Sequence, residues 1–206
     1  MEHAFWHARW AEGRIGFHQD EFNSQLQTYW SDLGVSSEGQ VLVPLCGKSG
    51  DMLWLRERGY SVMGVELNQS ACEAFFAERD AEPVVRQYES YLYYGCDGVE
   101  LLCGDVFSLS AAQLKDVGAV YDRAALVALP PEMRKQYAQM LIERLPEGVS
   151  VLLITMEFEG EQGPPFSVLE PEVEALFSSR FKIERLSERS ESAGRQDVAY
   201  RLMDKC

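Results

Sequence analysis

The chain has 206 residues, and 46% of them are hydrophobic, an ordinary share for a globular protein with a substantial core. Its 33 acidic residues outnumber its 19 basic ones, and the formal charge of −14 argues against a nucleic-acid or other polyanionic partner. No apolar run approaches the roughly 20 residues that cross a bilayer, and the first residues lack the apolar stretch of a signal peptide, so we expect a single domain over residues 1–206 that is cytoplasmic, monomeric and bound to small molecules.

The predicted elements begin with a helical segment, residues 2–33, which is rich in aromatic side chains and broken near Gly13 and Gly16. The pattern then changes to apolar strands that alternate with short helices. The runs QVLVPL and YSVMGVEL are predicted strands, and residues 51–58 and 69–79 are predicted helices. Such alternation predicts a parallel sheet with helices on both faces.

Two β-rich runs flank the sequence GCDG in the middle of the chain, which is a hairpin signal, and the second run is predicted to enter the main sheet. GAVYDRAAL is a further strand and turn, residues 132–145 form a helix after two prolines, and VSVLLITMEF is a long buried strand. A short helix over residues 171–178 precedes two final strands, FKIERLSER and DVAYRLMD. These last two predict an antiparallel hairpin at the C-terminus.

The loop in VLVPLCGKSGDM, residues 41–52, contains the tripeptide Gly-Lys-Ser. The phosphate-binding loop of nucleoside triphosphatases needs a further glycine five residues earlier, and Leu42 stands at that place. Without that glycine the backbone lacks the freedom to wrap its N–H groups around a triphosphate. The segment is therefore a strand–loop–helix turn that suits a different ligand.

The cysteines and histidines indicate neither a disulfide framework nor a metal site. The five cysteines are odd in number and scattered, no C-x-x-C pair occurs, and the three histidines all lie before residue 19. Cys46 lies in the glycine loop, but no base is recognisable beside it, so we interpret it as a small residue in a tight turn and not as a nucleophile. No metal is predicted.

Polar residues follow four predicted strands, at the edge of an open α/β sheet where ligands bind. They are the loop 45–50, Glu66, which lies 19 residues after the first glycine of that loop, Asp105 in CGDVF, and the pair Asp122 and Arg123 in YDRAAL. Glu66 has the spacing of an acid that binds ribose hydroxyls. Each also has a structural alternative, as a helix-cap acid, a turn cap or a surface ion pair.

A glycine loop, a ribose acid and a further acid at successive strand ends together favour a cofactor that contains adenosine. The spacing alone leaves two cofactors open. A dinucleotide oxidoreductase would need G-x-G-x-x-G, and CGKSGD has only G-x-x-G. S-adenosylmethionine has no pyrophosphate and does not need the strict glycine pattern, and a C-terminal antiparallel hairpin suits a methyltransferase.

Five segments carry a resemblance that runs nearly end to end: FWHARWAEGRIGFHQ, VLVPLCGKSGDMLWL, GVELNQSAC, YDRAALVALPPEMRKQYA and GPPFSV. On them the sequence resembles the bacterial thiopurine S-methyltransferases. The resemblance implies a Rossmann-like α/β fold that depends on S-adenosylmethionine, with a seven-stranded, mostly parallel sheet, the C-terminal hairpin and a helical cover over residues 1–33. It also implies S-methylation of aromatic and heterocyclic thiols such as 6-mercaptopurine, with methylation of selenium or tellurium compounds in bacterial relatives.

The same resemblance implies which residues bind the cofactor, with Leu45 and Glu66 holding its methionine and ribose parts and Asp105 near the adenine. The predicted cofactor-binding residues are Trp10, Leu45, Gly47, Glu66, Asp105 and Arg123. Phe17, Arg123 and Arg189 are predicted to orient the acceptor, and Arg189 rests on a segment, SERSESAGRQD, that departs from the mammalian pattern. No catalytic acid or base is predicted, because an acidic thiol loses its proton readily.

The predicted reaction is in-line attack of a thiolate or selenolate on a sulfonium-bound methyl group. Opposite charges disappear in that step, so a dry pocket favours it, and alignment and exclusion of water are the main tasks. Trp10 and Phe17 are predicted to shield the pocket, whereas Trp6 is expected to pack the helix onto the sheet. Two alternatives stay open, a nicotinamide-dependent oxidoreductase and a regulator that binds S-adenosylmethionine without turnover.

Overall fold

The computed structural model describes residues 3–160, 163–187 and 194–205, and the strands in these ranges form one sheet. The strands are β1 (Gln40–Pro44), β2 (Ser61–Glu66), β3 (Val84–Tyr88), β4 (Tyr91–Cys96), β5 (Val99–Cys103), β6 (Val117–Asp122), β7 (Ser150–Glu157), β8 (Phe181–Arg185) and β9 (Gln196–Asp204). The helices are α1 (His3–Ala11), α2 (Ser24–Tyr29), α3 (Asp51–Glu57), α4 (Gln69–Ala77), α5 (Ala125–Ala128), α6 (Pro131–Arg144) and α7 (Glu170–Phe177). Two 3-10 turns cover Trp30–Leu33 and Val106–Ser108.

The strand order across the sheet is β3-β4-β5-β2-β1-β6-β7-β9-β8. The five strands from β5 to β7 are mutually parallel, and the strands outside them pair antiparallel. After β1 the chain builds outward through β2 and β5, and it then returns to place β6 on the other side of β1. The boundary between β1 and β6 is therefore the topological switch point, where open α/β sheets bind their ligands.

The predicted α/β fold with a C-terminal hairpin is confirmed, but the predicted count of seven strands is wrong. Seven strands, from β5 to β8 in the spatial order, form the expected sheet, and the hairpin β3–β4 extends it to nine among the described residues. The sequence did not indicate β3 as a separate strand because it is an edge strand. Its first side chain, Val84, is 65% exposed, so β3 lacks the buried apolar pattern by which strands are recognised.

The observed helices after residue 50 agree with the predicted ones to within two residues at each end, apart from the four-residue α5, which was predicted as part of a turn. The predicted break near Gly13 and Gly16 is confirmed, but it is longer than predicted, and residues 12–23 form turns and bends between α1 and α2. Gly13, with φ of +67°, follows the end of α1 in the left-handed conformation that glycine tolerates. Asn23 then caps α2 by accepting hydrogen bonds from the backbone N–H groups of Gln25 and Leu26.

The core lies on both faces of the sheet, because alternate residues of a buried strand face opposite sides. On β1, Leu42 belongs to one apolar cluster, and Val41 and Val43 belong to the other. The 3-10 turn after α2 joins the second cluster through Trp30, whose ring meets that of Tyr121 edge-on at 6.4 Å. None of the helices in the described ranges has the length and apolar character needed to span a membrane.

The segment around α2 docks on the end of the chain. The Ser187 hydroxyl donates to Gln25 Oε1 at 2.9 Å, and the Arg201 guanidinium donates to the Asp32 carbonyl oxygen at 2.6 Å. The N-terminal part of the protein thus rests partly on β9 and the residues just after β8.

Candidate active site

A cavity of about 320 Å³ lies at the carboxyl edge of the parallel strands, under the N-terminal segment. Its floor comes from the loops after β1, β2, β5 and β6, and its roof comes from α1 and residues 16–19. Seven of the predicted site residues line it: Trp10, Phe17, Leu45, Gly47, Glu66, Asp105 and Arg123. The eighth, Arg189, lies outside the described residues, and the binding roles of all eight stay predictions.

The loop after β1 turns sharply at the cavity wall. Leu45 and Gly47 both have left-handed backbone conformations, with φ of +49° and +54°. A Cβ atom on Gly47 would lie 3.4 Å from the Trp10 indole ring, so the absence of a side chain there lets the roof approach the loop. Lys48 forms an ion pair with Glu78 on the C-terminal end of α4, which agrees with the rejection of a phosphate-binding loop.

Glu66 ends β2, and its carboxylate fixes the two neighbouring loops. Its Oε2 accepts the backbone N–H of Gly47 at 2.9 Å, and its Oε1 accepts the backbone N–H of Asn68 at 2.8 Å. Asn68 caps α4, so Glu66 supports a helix cap as well as lining the cavity. Burial raises the pKa of Glu66, and the bonds from Asn68 and Gly47 oppose that shift. Each carboxylate oxygen has two lone pairs and therefore keeps one acceptor position for a ligand hydroxyl.

Cys46 is not suited to nucleophilic chemistry. Its side chain is buried, and its thiol lies 3.6 Å from the carbonyl oxygen of Gly47. Burial, with a smaller contribution from the nearby Glu66 carboxylate, raises the pKa of the Cys46 thiol well above its usual value. The thiol is therefore protonated at neutral pH, in agreement with its interpretation as a turn residue.

Asp105 caps a turn, as its structural alternative predicted, and it also lines the cavity. Its carboxylate accepts the backbone N–H of Phe107 at 3.0 Å and so caps the 3-10 turn after β5. Its other oxygen lies 3.4 Å from His3 Nε2, across the cavity mouth on α1. A second link between this helix and the sheet is the contact of 3.1 Å between His7 Nδ1 and Asn68 Nδ2.

Arg123 follows β6 and pairs with a buried carboxylate that the sequence indicated only as the start of a helix. Its Nε lies 3.2 Å from Asp51 Oδ2, and the side chain of Asp51 is only 2% exposed. An Nη1 N–H of Arg123 donates to Gln19 Oε1 at 2.7 Å. The alternative that Arg123 forms a plain surface ion pair is therefore wrong. Asp122 points elsewhere, since it accepts from the Tyr137 hydroxyl and the Ala125 N–H.

The roof of the cavity is a row of aromatic rings in edge-on contact. Phe17 meets Trp10 at a centroid distance of 5.8 Å and Trp6 at 5.9 Å. Trp6 lines the cavity as Trp10 does, in contrast to the expectation that it only packs the helix onto the sheet. Such contacts are the preferred geometry of aromatic pairs and hold the roof together.

Several cavity residues were not predicted, although four of them, His18, Met133, Pro164 and Pro165, lie in segments that carry the family resemblance. His18 belongs to the quoted motif GFHQ, and burial, followed by the charge of Lys48, lowers its pKa, so that its imidazole is neutral at pH 7. Other lining residues that were not predicted include Met133, Met156, Pro164, Pro165 and Arg195. Within the described ranges, no three His, Cys, Asp or Glu side chains are grouped as a metal site would require.

Comparisons with known proteins point to one family. A family model described as Thiopurine S-methyltransferase (TPMT) matches residues 1–201. A thiopurine S-methyltransferase of Pseudomonas entomophila (strain L48) is 51% identical over 180 residues, which are 86% of this chain and 83% of that relative. Another, of Pseudomonas fluorescens (strain Pf0-1), is 47% identical over 190 residues, which are 91% of this chain and 87% of that relative.

Solved structures with little sequence identity share the fold. The 1,6-didemethyltoxoflavin-N1-methyltransferase of Burkholderia thailandensis, solved with 1,6-didemethyltoxoflavin and S-adenosylhomocysteine, has a TM-score of 0.69 against this chain. It is 18% identical, and the match covers 98% of this chain and 86% of the other. The likeness therefore supports the doubly wound sheet and its switch point.

Proposed function

The chain belongs to the thiopurine S-methyltransferase family of S-adenosylmethionine-dependent enzymes, and we propose that it methylates the sulfur of aromatic or heterocyclic thiols such as thiopurines. The observation that supports the proposal most directly is that Glu66 and the loop after β1, where Leu45 and Gly47 have left-handed backbone conformations, line the same cavity. Glu66 Oε2 lies 2.9 Å from the backbone nitrogen of Gly47, between the carboxyl ends of β2 and β1 and next to the switch point of the sheet.

The residues present fit S-adenosylmethionine. Gly47 leaves room beside Trp10 that a side chain would fill, and Glu66 keeps two acceptor positions for a pair of vicinal hydroxyl groups. Lys48, the basic residue of this loop, is already paired with Glu78 and is therefore less available to a pyrophosphate. A cofactor with a ribose and a single carboxylate suits this set of groups better than a dinucleotide.

We assign the cofactor's parts to residues as follows. Glu66 binds the ribose hydroxyls, Asp105 lies at the adenine, and Arg123 binds the carboxylate of the methionine part. The backbone at Leu45 and Gly47 borders that methionine part. When bound, S-adenosylmethionine supplies an electrophilic methyl group on a sulfonium sulfur.

The other cavity residues surround and orient the methyl acceptor. Trp6, Trp10 and Phe17 exclude water, which favours a reaction in which a thiolate and a sulfonium lose their charges. Met133 and Met156 offer apolar, polarisable walls for a flat heterocycle. Phe17, Arg123 and Arg189 stay the predicted residues for orienting it, and His18 also lines the cavity wall.

The test is a panel of acceptors with methyl-labelled S-adenosylmethionine, measured as kcat/KM. The panel contains 6-mercaptopurine, its oxygen analogue hypoxanthine as the matched control, an aliphatic thiol, selenite and tellurite. We expect 6-mercaptopurine to exceed the aliphatic thiol by about ten-fold or more, which corresponds to about 1.4 kcal/mol, and hypoxanthine to be inert. The arms with selenite and tellurite test the predicted methylation of selenium and tellurium compounds.

Two results would overturn the proposal. Binding of S-adenosylhomocysteine without methyl transfer to any thiol would favour the non-catalytic regulator. Tight binding of a nicotinamide dinucleotide in competition with S-adenosylhomocysteine would favour the oxidoreductase, which the family match argues against. The predicted monomeric, single-domain state is a further part of the proposal, and light scattering of the purified chain tests it.

A further inference from the structure

Asp51 lies beneath the cavity without lining it. It is the first residue of α3, and it is not one of the described residues that form the cavity wall. Its side chain is 2% exposed, so it has no route to a bound ligand. Any influence that it has on the reaction must pass through a neighbour.

Three groups converge on this buried carboxylate from three different segments. Oδ1 accepts the backbone N–H of Asn23 at 2.8 Å, and Oδ2 accepts the Tyr121 hydroxyl at 2.9 Å. Arg123 Nε lies 3.2 Å from the same Oδ2. The carboxylate is thus bound to the start of α2, to β6 and to the loop after β6.

The contacts of Arg123 divide its guanidinium into a fixed part and a free part. Nε faces Asp51 and one Nη1 N–H is bonded to Gln19, while the side chain as a whole lines the cavity. A guanidinium has five N–H donors in a planar fork. Among the described residues only those two donors find partners, so three N–H groups are available to an anion in the cavity.

We propose that Asp51 is a positioning residue that holds the Nε side of Arg123, so that the remaining donors of the fork face the anionic group of a bound ligand. The inference rests on the proposed function, because it takes Arg123 to bind the carboxylate of the methionine part. A planar fork binds a carboxylate well only at a fixed orientation. A neutral side chain at position 51 therefore releases Arg123 without removing its charge.

The experiment is a double-mutant cycle read by calorimetric binding of S-adenosylhomocysteine. The four proteins are wild type, Asp51→Asn, Arg123→Met and the double variant. We expect Asp51→Asn to raise Kd by about ten-fold in the presence of Arg123, equivalent to about 1.4 kcal/mol, and by less than about two-fold when residue 123 is methionine.

A matched control exists at the other end of the sheet. Asp204 and Arg180 form an ion pair of 2.6 Å with side chains that are 8% and 14% exposed, and neither lines the cavity. Asp204→Asn breaks a comparable pair, so it should lower Tm while Kd for S-adenosylhomocysteine stays unchanged. A fall in affinity for this variant as large as that for Asp51→Asn would overturn the inference, because loss of stability alone would then explain both.

Each remaining outcome also decides the matter. An equal rise in Kd in both backgrounds overturns the positioning role and leaves the proposed function intact. Failure of the wild type to bind S-adenosylhomocysteine overturns the proposed function and the inference together. Should Asp51→Asn not fold, Asp51→Glu in the same cycle keeps the carboxylate but moves it by one methylene, and the same non-additivity is expected.

Discussion

Glu66→Gln is the most direct perturbation of the candidate site. The carboxylate of Glu66 accepts one backbone N–H on each oxygen, from Gly47 and from Asn68. Glutamine has the same shape but only one acceptor oxygen, so its NH₂ group must face one of these backbone donors. The variant therefore loses the charge, one backbone bond and one of the two positions left for the ribose hydroxyls.

The expected loss follows from these contacts. A hydrogen bond to a charged acceptor contributes about 1.5–3 kcal/mol, and a buried donor left unpaired costs about 1–3 kcal/mol. The unpaired backbone donor weakens the fold with or without ligand, so it lowers Tm. The lost hydrogen bond from a ligand hydroxyl to the charged carboxylate is specific to the bound state. We therefore expect binding of S-adenosylhomocysteine to weaken by about 1–3 kcal/mol, or about 5-fold to 150-fold in Kd. Glu66→Ala should fall in the same range.

Isothermal titration calorimetry with S-adenosylhomocysteine measures this change directly. Glu73→Gln is the matched control, since it makes the same chemical change on α4 at a residue outside the cavity. It should leave Kd unchanged. If folded Glu66→Gln binds S-adenosylhomocysteine with the affinity of the wild type, Glu66 only supports the helix cap, and the proposal that it binds the ribose hydroxyls is wrong.

Three further predictions follow from other residues. Arg123→Lys keeps the charge but loses the planar fork, so kcat/KM toward a thiopurine should fall by about ten-fold or more, with little change in Tm. Hydrogen exchange of residues 3–20 should slow when S-adenosylhomocysteine binds, because the aromatic roof then closes on the cavity. Burial raises the pKa of Asp122 from 3.8 to about 6, so the folded protein holds this proton more tightly than the unfolded chain does. The unfolding free energy should therefore fall from about pH 4 to pH 7, by about 3 kcal/mol more in the wild type than in Asp122→Asn.

Each of these predictions has a contrary result. Wild-type kinetics in folded Arg123→Lys would mean that the fork does not orient a ligand. Equal exchange of residues 3–20 with and without ligand would indicate a static roof. Parallel pH profiles for wild type and Asp122→Asn, measured by urea unfolding, would mean that Asp122 is ionised in the folded protein over the whole range.

The sequence predicted the parts of the fold that carry a local pattern. The central strands β1, β2, β6 and β7 were recognisable because they are buried on both faces and therefore apolar throughout. Gly47 and Glu66 were found together because a strand–helix–strand unit fixes their separation. Both are properties of short stretches of chain, which a single sequence displays.

Contacts between distant segments were not visible in the same way. Asp51 was predicted only as a helix start, because its partner Tyr121 lies 70 residues away. Gln19 meets Arg123 across 104 residues, and nothing near either residue indicates the other. The break over residues 12–23 is longer than Gly13 and Gly16 indicated, because Phe17 is placed by its contacts with Trp6 and Trp10 on α1 and not by a helical repeat.

The docking of α2 on residues near β8 and β9 affects how the protein folds while it is being synthesised. Gln25 and Ser187 are 162 residues apart, and Asp32 and Arg201 are 169 apart, so the segment around α2 leaves the ribosome long before these partners do. Contacts of such long sequence separation slow folding, since the intervening loop must be closed before they form. A nascent chain that has not yet released β9 lacks the antiparallel neighbour of β7 and the Arg201 partner of Asp32, and the unpaired edge of β7 is where a chaperone would bind a growing polypeptide.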